Sequence, residues 1–193
     1  NWSWASIVTY SASISACDKG QQQQRALQLT QEMWSNGVRA NAITYHASIS
    51  ACDKGQPWQR ALQRFQEMLS NGEQANAITY NASISAWEKG QHLQRALRLL
   101  QEMRSNGVQA NVITYNASIS ACEKGQQWQR ALQLFHDMRG SGVQADVITY
   151  SASISACGKG RQWQHALQVI PDMLLSGVRA NVITYSASIS ACE

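Results

Sequence analysis

Residues 7–41 read IVTYSASISACDKGQQQQRALQLTQEMWSNGVRAN, and the chain returns to this string every 35 residues. A Val-Thr-Tyr or Ile-Thr-Tyr tripeptide sets its tyrosine at Tyr10, Tyr45, Tyr80, Tyr115, Tyr150 and Tyr185, with no insertion or deletion between them. Self-similarity at a fixed period marks a repeat array rather than a domain with one central core. In phase with the tyrosines, complete repeats span 7–41, 42–76, 77–111, 112–146 and 147–181; residues 1–6 read as the end of a preceding repeat and 182–193 as the first helix of a truncated sixth. Met33, Met68, Met103, Met138 and Met173 share one repeat position, as do Cys17, Cys52, Cys122, Cys157 and Cys192, with Trp87 in the third repeat's cysteine slot.

Each repeat predicts two helices. Ile7, Tyr10, Ile14 and Cys17 recur at the spacing of one helical stripe, and Gly20 ends it. A second stripe carries Ala26, Leu27, Leu29 and Met33 and closes at Gly37; Trp58, Trp128 or Trp163 opens it in later repeats. Glycines at these two hinges suggest helix ends in the left-handed conformation. A helix pair with one apolar stripe per helix cannot bury it alone, so neighbours must stack into an all-α, α-solenoid fold, here a fragment of a longer array. Pro57 falls at the opening of a second helix, where a missing N–H costs little. Pro171 falls inside the equivalent helix of the fifth repeat, predicting a kink and a cost of about 3 kcal/mol there.

The core stripe leaves a second arc of the first helix unexplained. It starts with an apolar residue (Val8, Ile43, Ile78, Ile113, Ile148, and Ile183 in the partial repeat), continues with a varying polar one (Ser11, His46, Asn81, Asn116, Ser151) and ends in lysine. All five lysines of the chain, Lys19, Lys54, Lys89, Lys124 and Lys159, lie at that last place. Stacking would line these residues into apolar, polar and cationic rows. Such rows suit a nucleic-acid strand, with apolar side chains against base faces, polar groups at base edges and lysines along phosphates. The alternative is that the apolar residues extend the core and the lysines are helix-end cations that favour the dipole. A net charge of +4 is too small to decide between them, and an acidic residue precedes four of the five lysines (Asp18, Asp53, Glu88, Glu123).

With Lys19-Gly20, Ala26-Leu27, Met33, Gly37 and Asn41 in fixed phase, the sequence resembles the pentatricopeptide repeat (PPR) family over residues 7–193, departing from it at Ala40, Ala75, Ala110, Ala145 and Ala180, where the family usually has proline. The resemblance implies a right-handed superhelix of antiparallel helix pairs that binds single-stranded RNA, one base per repeat. It also implies base selection by the fifth and last residues together: Ser11 with Asn41, His46 with Asn76, Asn81 with Asn111, Asn116 with Asp146, and Ser151 with Asn181. Read 5′ to 3′, these suggest A-N-C-U-A, with the second base undefined. Bases would be sandwiched between apolar residues of adjacent repeats, such as Val8 and Ile43, and lysines would meet phosphates. The family further implies a role in RNA processing, stability, translation or editing in a plastid or mitochondrion. Donor and acceptor logic agrees: an acceptor-only carboxylate such as Asp146 suits the ring N–H of uracil or guanine, whereas an asparagine amide can donate to the bare ring nitrogen of cytosine or adenine. Asn and Asp are also favoured helix N-caps, which gives the last residue a structural role.

Other chemistry finds no support in the sequence. Cysteines 35 residues apart form no Cys-x-x-Cys pair and are expected in the core. His46, His92, His136 and His165 occupy different repeat positions, so no metal site, cofactor or catalytic constellation is expected in this segment. No apolar run approaches the length of a membrane span, and residues 1–6 carry no targeting pattern. The competing class is a peptide-binding scaffold like the tetratricopeptide repeats, whose usual period is about 34 residues.

Overall fold

The computed structural model describes residues 2–20, 22–54 and 58–192; Pro57 and the side chains of Lys19, Lys54, Cys52, Trp58 and Cys192 lie outside the described residues. All regular structure among the described residues is helical: α1 (Trp2–Lys19), α2 (Gln23–Ser35), α3 (Ala42–Lys54), α4 (Trp58–Ser70), α5 (Ala77–Lys89), α6 (Leu93–Ser105), α7 (Val112–Lys124), α8 (Trp128–Gly140), α9 (Val147–Lys159), α10 (Trp163–Leu175) and α11 (Val182–Cys192). The chain forms two compact units, Asn1–Gly90 and Gln91–Glu193, so the division falls inside the 77–111 repeat.

The two units are built alike. In the first, α1, α3 and α5 pack side by side, and α2 and α4 each lie against the first helices that flank them in sequence. In the second, α7, α9 and α11 form the corresponding layer, with α6, α8 and α10 outside it. The small residues of the Ala-Ser-Ile-Ser-Ala segment allow this close approach: Ala47, Ser48 and Ala51, and Ala152, Ser153 and Ala156, are all buried. Second helices meet through longer side chains instead. The Arg64 guanidinium lies 3.6 Å from the centre of the Trp34 ring, and Arg104 and Arg139 reach the Asp137 and Asp172 carboxylates.

The core follows the sequence stripe closely. All five repeated methionines are fully buried, together with Ile14, Ile49, Ile84, Ile119 and Ile154. Replacing one of these methionines by alanine removes contacts worth about 2–5 kcal/mol. Cys122 and Cys157 are buried as expected, and burial raises both thiols to about 11. Trp87 differs from them in remaining partly exposed, so the larger side chain is accommodated toward the surface. The repeated tyrosine also ties each hairpin. Asn36 and Asn71, just past the ends of α2 and α4, donate to the hydroxyls of Tyr10 and Tyr45 at 2.8 and 2.7 Å, and the Tyr150 hydroxyl donates to Ser176 at 2.9 Å.

The glycine expectation holds at only one hinge. Gly37, Gly72, Gly107, Gly142 and Gly177, after the second helices, have φ between +70° and +75°. After the first helices, Gly125 and Gly160 have φ of −82° and −83°, and the positive φ falls on Gln126 and Arg161. Space explains these glycines: a Cβ on Gly125 would come within 2.7 Å of Leu93 Cδ2, and one on Gly160 would strike the Trp128 ring. α10 runs through Pro171 over the same 13 residues as the other second helices.

Candidate nucleic-acid interface

The apolar residue that opens each arc faces outward. Val8, Ile43, Ile78, Ile113, Ile148 and Ile183 are between 55% and 65% exposed, whereas Thr44, Thr79, Thr114, Thr149 and Thr184, next to the five isoleucines, are at most 1% exposed. Burial therefore does not account for the repetition of these side chains, which removes the reading that they only extend the core. A contiguous groove in the second unit shows how they combine. It is lined by Ile148 and Ile183, the polar pair Ser151 and Asn181, Lys159 and Glu123. Two apolar walls, a polar pair and a cation thus border one open space between α9 and α11.

The fifth-residue row lies deeper than a helical wheel suggests. Ser11, Asn81 and Ser151 are only 6–7% exposed, while His46 and Asn116 are half-buried. For Ser11, His46, Asn116 and Ser151 the cause is the next repeat, whose first helix begins directly over them. That helix start brings Ser11, His46 and Asn116 to their partners 30 positions on. Ser11 Oγ lies 3.4 Å from Asn41 Oδ1, and Asn76 Nδ2 lies 3.0 Å from His46 Nδ1. Asn116 Nδ2 donates to both carboxylate oxygens of Asp146 at 3.1 and 3.2 Å. Ser151 meets Thr184 at 3.0 Å, and the Thr184 N–H donates to Asn181 Oδ1 at 3.0 Å. Asn81 and Asn111 fall in different units, and each stands on its own helix: Asn81 buried on α5 and Asn111 as the N-cap of α7.

Every last residue is also a helix cap, so the structural role is real. Asn76, Asn111 and Asp146 form reciprocal capping boxes with Thr79, Thr114 and Thr149. Asn41 does the same with Thr44, whose N–H donates to Asn41 Oδ1 at 3.0 Å while the Asn41 N–H donates to Thr44 Oγ1 at 2.7 Å. This threonine row is missing from the residue set suggested by sequence. Its signal is the Asn/Asp-x-x-Thr spacing, a short relative of the capping-box pattern.

Electrostatics follow from these contacts. Burial alone would raise the Asp146 carboxyl, but hydrogen bonds from Thr149, Asn116 and the Ile148 backbone outweigh it and hold it below the ordinary carboxylate range. Burial pushes His46 below the usual imidazole value, against smaller opposing effects of the Gln74 backbone and the Glu73 carboxylate. His46 is therefore neutral at pH 7. Lys89, Lys124 and Lys159 sit in the last turns of α5, α7 and α9, where a cation also favours the helix dipole. Lys159 is additionally paired, 2.9 Å from Glu123 Oε1, which the Ser155 hydroxyl also meets at 2.7 Å.

Comparison with known proteins agrees with this architecture. A model described as PPR repeat family matches residues 75–124 and 110–159, a pentatricopeptide repeat domain model matches 5–54, and a PPR repeat model matches 148–178. The PPR domain of Arabidopsis thaliana protein-only RNase P 1, solved in complex with tRNA, superposes with a TM-score of 0.84 at 15% identity, covering 97% of this chain and 98% of that one. The pentatricopeptide repeat protein PPR10 from maize is 27% identical, with a TM-score of 0.63 over 95% of this chain and 26% of its own. PPR10 in complex with an 18-nt psaJ RNA element gives 0.76 at 19% identity, over 96% and 27%. The chain thus spans about a quarter of the length of PPR10. No curated protein matches its sequence.

Proposed function

From the premise that this chain belongs to the pentatricopeptide repeat family, we propose that it binds single-stranded RNA with one base assigned to each repeat. The observation that carries this reading is the groove between α9 and α11, where Ile148 and Ile183 flank the Ser151 and Asn181 pair beside Lys159. A base entering it meets an apolar surface on each side, polar atoms at its edge and a cation within reach of its phosphate. Stacking on side chains is indifferent to sequence, because every base has a flat face. Selectivity then rests on the paired fifth and last residues.

The preferred site is A-N-C-U-A, read 5′ to 3′ along the chain. Asp146 supports U at the fourth position, since a carboxylate accepts from the ring N–H of uracil and meets only a lone pair on cytosine. The asparagines at 41, 111 and 181 support A or C by the converse argument. Within this reading the chain acts in the processing, stability, translation or editing of plastid or mitochondrial transcripts, and these repeats contribute recognition rather than catalysis.

The test is equilibrium binding of fluorescently labelled RNA oligonucleotides carrying A-N-C-U-A or its scrambled order, measured over a salt series. The expected result is tighter binding of the ordered site and a steep loss of affinity with salt, from counterions released at each lysine–phosphate contact. Equal binding of both sequences would remove base selection. Lack of RNA binding, with ribonuclease-insensitive capture of a protein partner, would favour the peptide scaffold.

A further inference from the structure

We propose that the threonine of each Ile-Thr-Tyr tripeptide is a positioning residue for base selection, fixing which polar atoms of the fifth and last residues are turned toward the base. The proposal rests on the RNA-reading function above and concerns how that reading is made unambiguous.

An unrestrained asparagine is two-faced: its amide carries a donor end and an acceptor end, and rotation exchanges them. Read that way, it would accept the edges of cytosine and uracil equally. The threonine removes this freedom. A backbone N–H can only donate, so the atom it meets must be the amide oxygen. The N–H groups of Thr44, Thr79, Thr114 and Thr184 meet Asn41, Asn76, Asn111 and Asn181 at 3.0 to 3.1 Å. With Oδ1 held, Nδ2 is directed away from the helix start, and in the second repeat it points at His46 Nδ1. Asparagine in this cradle therefore presents a donor. Aspartate in the same cradle, with Oδ1 held by Thr149 N–H at 2.9 Å, still presents an acceptor through Oδ2.

The threonine hydroxyl adds a second restraint, on the other member of the pair. Thr149 Oγ1 is 2.6 Å from Asn116 Oδ1 and 2.9 Å from Asp146 Oδ1, and it accepts from the Asp146 N–H at 3.1 Å. A hydroxyl has one proton, which these two oxygens share, the shorter contact being the one to Asn116. The Asn116 oxygen is thereby occupied and its Nδ2 is left toward Asp146 and the base. Thr184 Oγ1 touches Ser151 Oγ in the equivalent place. The threonines themselves are at most 1% exposed, so they act through the pair and do not touch a base.

The experiment compares the wild-type chain with Thr149→Val, which keeps the shape and the backbone N–H but not the hydroxyl, and with Thr149→Ser, which keeps the hydroxyl. Binding is measured to four RNAs differing only at the fourth base, and to four differing only at the first. A well-formed polar pair discriminates by roughly tenfold or more. The expected outcome is that Thr149→Val lowers the preference for U to about threefold or less, leaves the first-base preference intact, and is rescued by Thr149→Ser. A pure capping role would weaken binding of all four RNAs alike and keep their ratio, which would overturn the proposal. Thr184→Val, which loses the hydroxyl that meets Ser151, supplies the reciprocal test on four RNAs differing only at the fifth base, and decides the matter by the same ratio if Thr149→Val does not fold by circular dichroism. A wild-type chain indifferent to the base at every position would remove the RNA-reading function itself, a separate result.

Discussion

The contact between Asn116 and Asp146 can be measured by a double-mutant cycle. Asp146→Asn keeps the cap, since asparagine and aspartate are comparable at that position, so the loss should come from the contact across the repeats. There the Asn116 amide donates to a carboxylate at 3.1 and 3.2 Å, with its own oxygen held by Thr149. A hydrogen bond to a charged group contributes about 1.5–3 kcal/mol and a neutral one about 0.5–1.5. Two amide nitrogens facing each other in Asp146→Asn would contribute nothing until one side chain turns. Partial exposure of the pair trims the difference, so a coupling of about 1 kcal/mol is expected between Asp146→Asn and Asn116→Ala. Urea unfolding followed by circular dichroism at pH 7 measures it. The fold depresses the Asp146 pKa, so its contribution is present above the unfolded value of about 3.9 and is lost as pH falls through the folded value. The cycle should therefore collapse in acid. A coupling near zero at pH 7 would refute the hydrogen-bonded pair. In the binding assay, Asp146→Asn should also shift the fourth-base preference from U toward C.

Three further outcomes follow from named contacts. Pro171→Gln, which installs the residue found at the equivalent Gln31, Gln66 and Gln101, restores the N–H that Leu167's carbonyl lacks; in urea unfolding it should raise the free energy of unfolding by up to about 3 kcal/mol. Stability should fall between pH 7 and pH 5 in a His46-dependent way. A lowered folded pKa stabilises fully above the unfolded value near 6.5 and the contribution fades as pH drops through the folded one, with Asn76, the Gln74 backbone and Glu73 facing the ring. NMR titration of His46, and loss of the slope in His46→Asn, check this. Glu123→Gln removes the carboxylate paired with Lys159; RNA affinity should rise and the logarithmic salt dependence should steepen by up to about 0.7, the value for one single-strand phosphate contact.

Much of this architecture is legible in the sequence because one constraint recurs in phase. The tyrosine and methionine rows mark the two packed stripes, and the outward apolar row stands out because Val8 and its equivalents are hydrophobic where the helix no longer needs them. The depth of the fifth residue is not legible. A helical wheel places Ser11 and Ser151 on an open arc, and only the stacked helix start that follows covers them. Neither is the reason for the first-hinge glycines, which yield to a leucine or tryptophan from the preceding second helix rather than to a left-handed turn. The threonines form a visible row in the sequence, but their full set of partners is not legible there. Their partners lie both three positions away, as a cap, and 33 away, as with Thr149 and Asn116, and only the second distance requires the fold.

The position of the caps has a bearing on how such arrays can grow. The polar contact set proposed to read a base does not coincide with one hairpin: it opens at the fifth residue of a repeat and closes only at the third residue of the next, as Ser151, Asn181 and Thr184 illustrate. Duplicating a contiguous block of 35 residues keeps the phase of these junctions. Removing the opening turn of a downstream hairpin, in contrast, takes away the cap and threonine that complete the set before it, so under the proposed function n nucleotides would require n + 1 leading helices. A splice between arrays keeps each of these contact sets whole when the cut falls at the tyrosine between the third and fifth residues, whereas a cut within α10 parts Ser151 from Asn181.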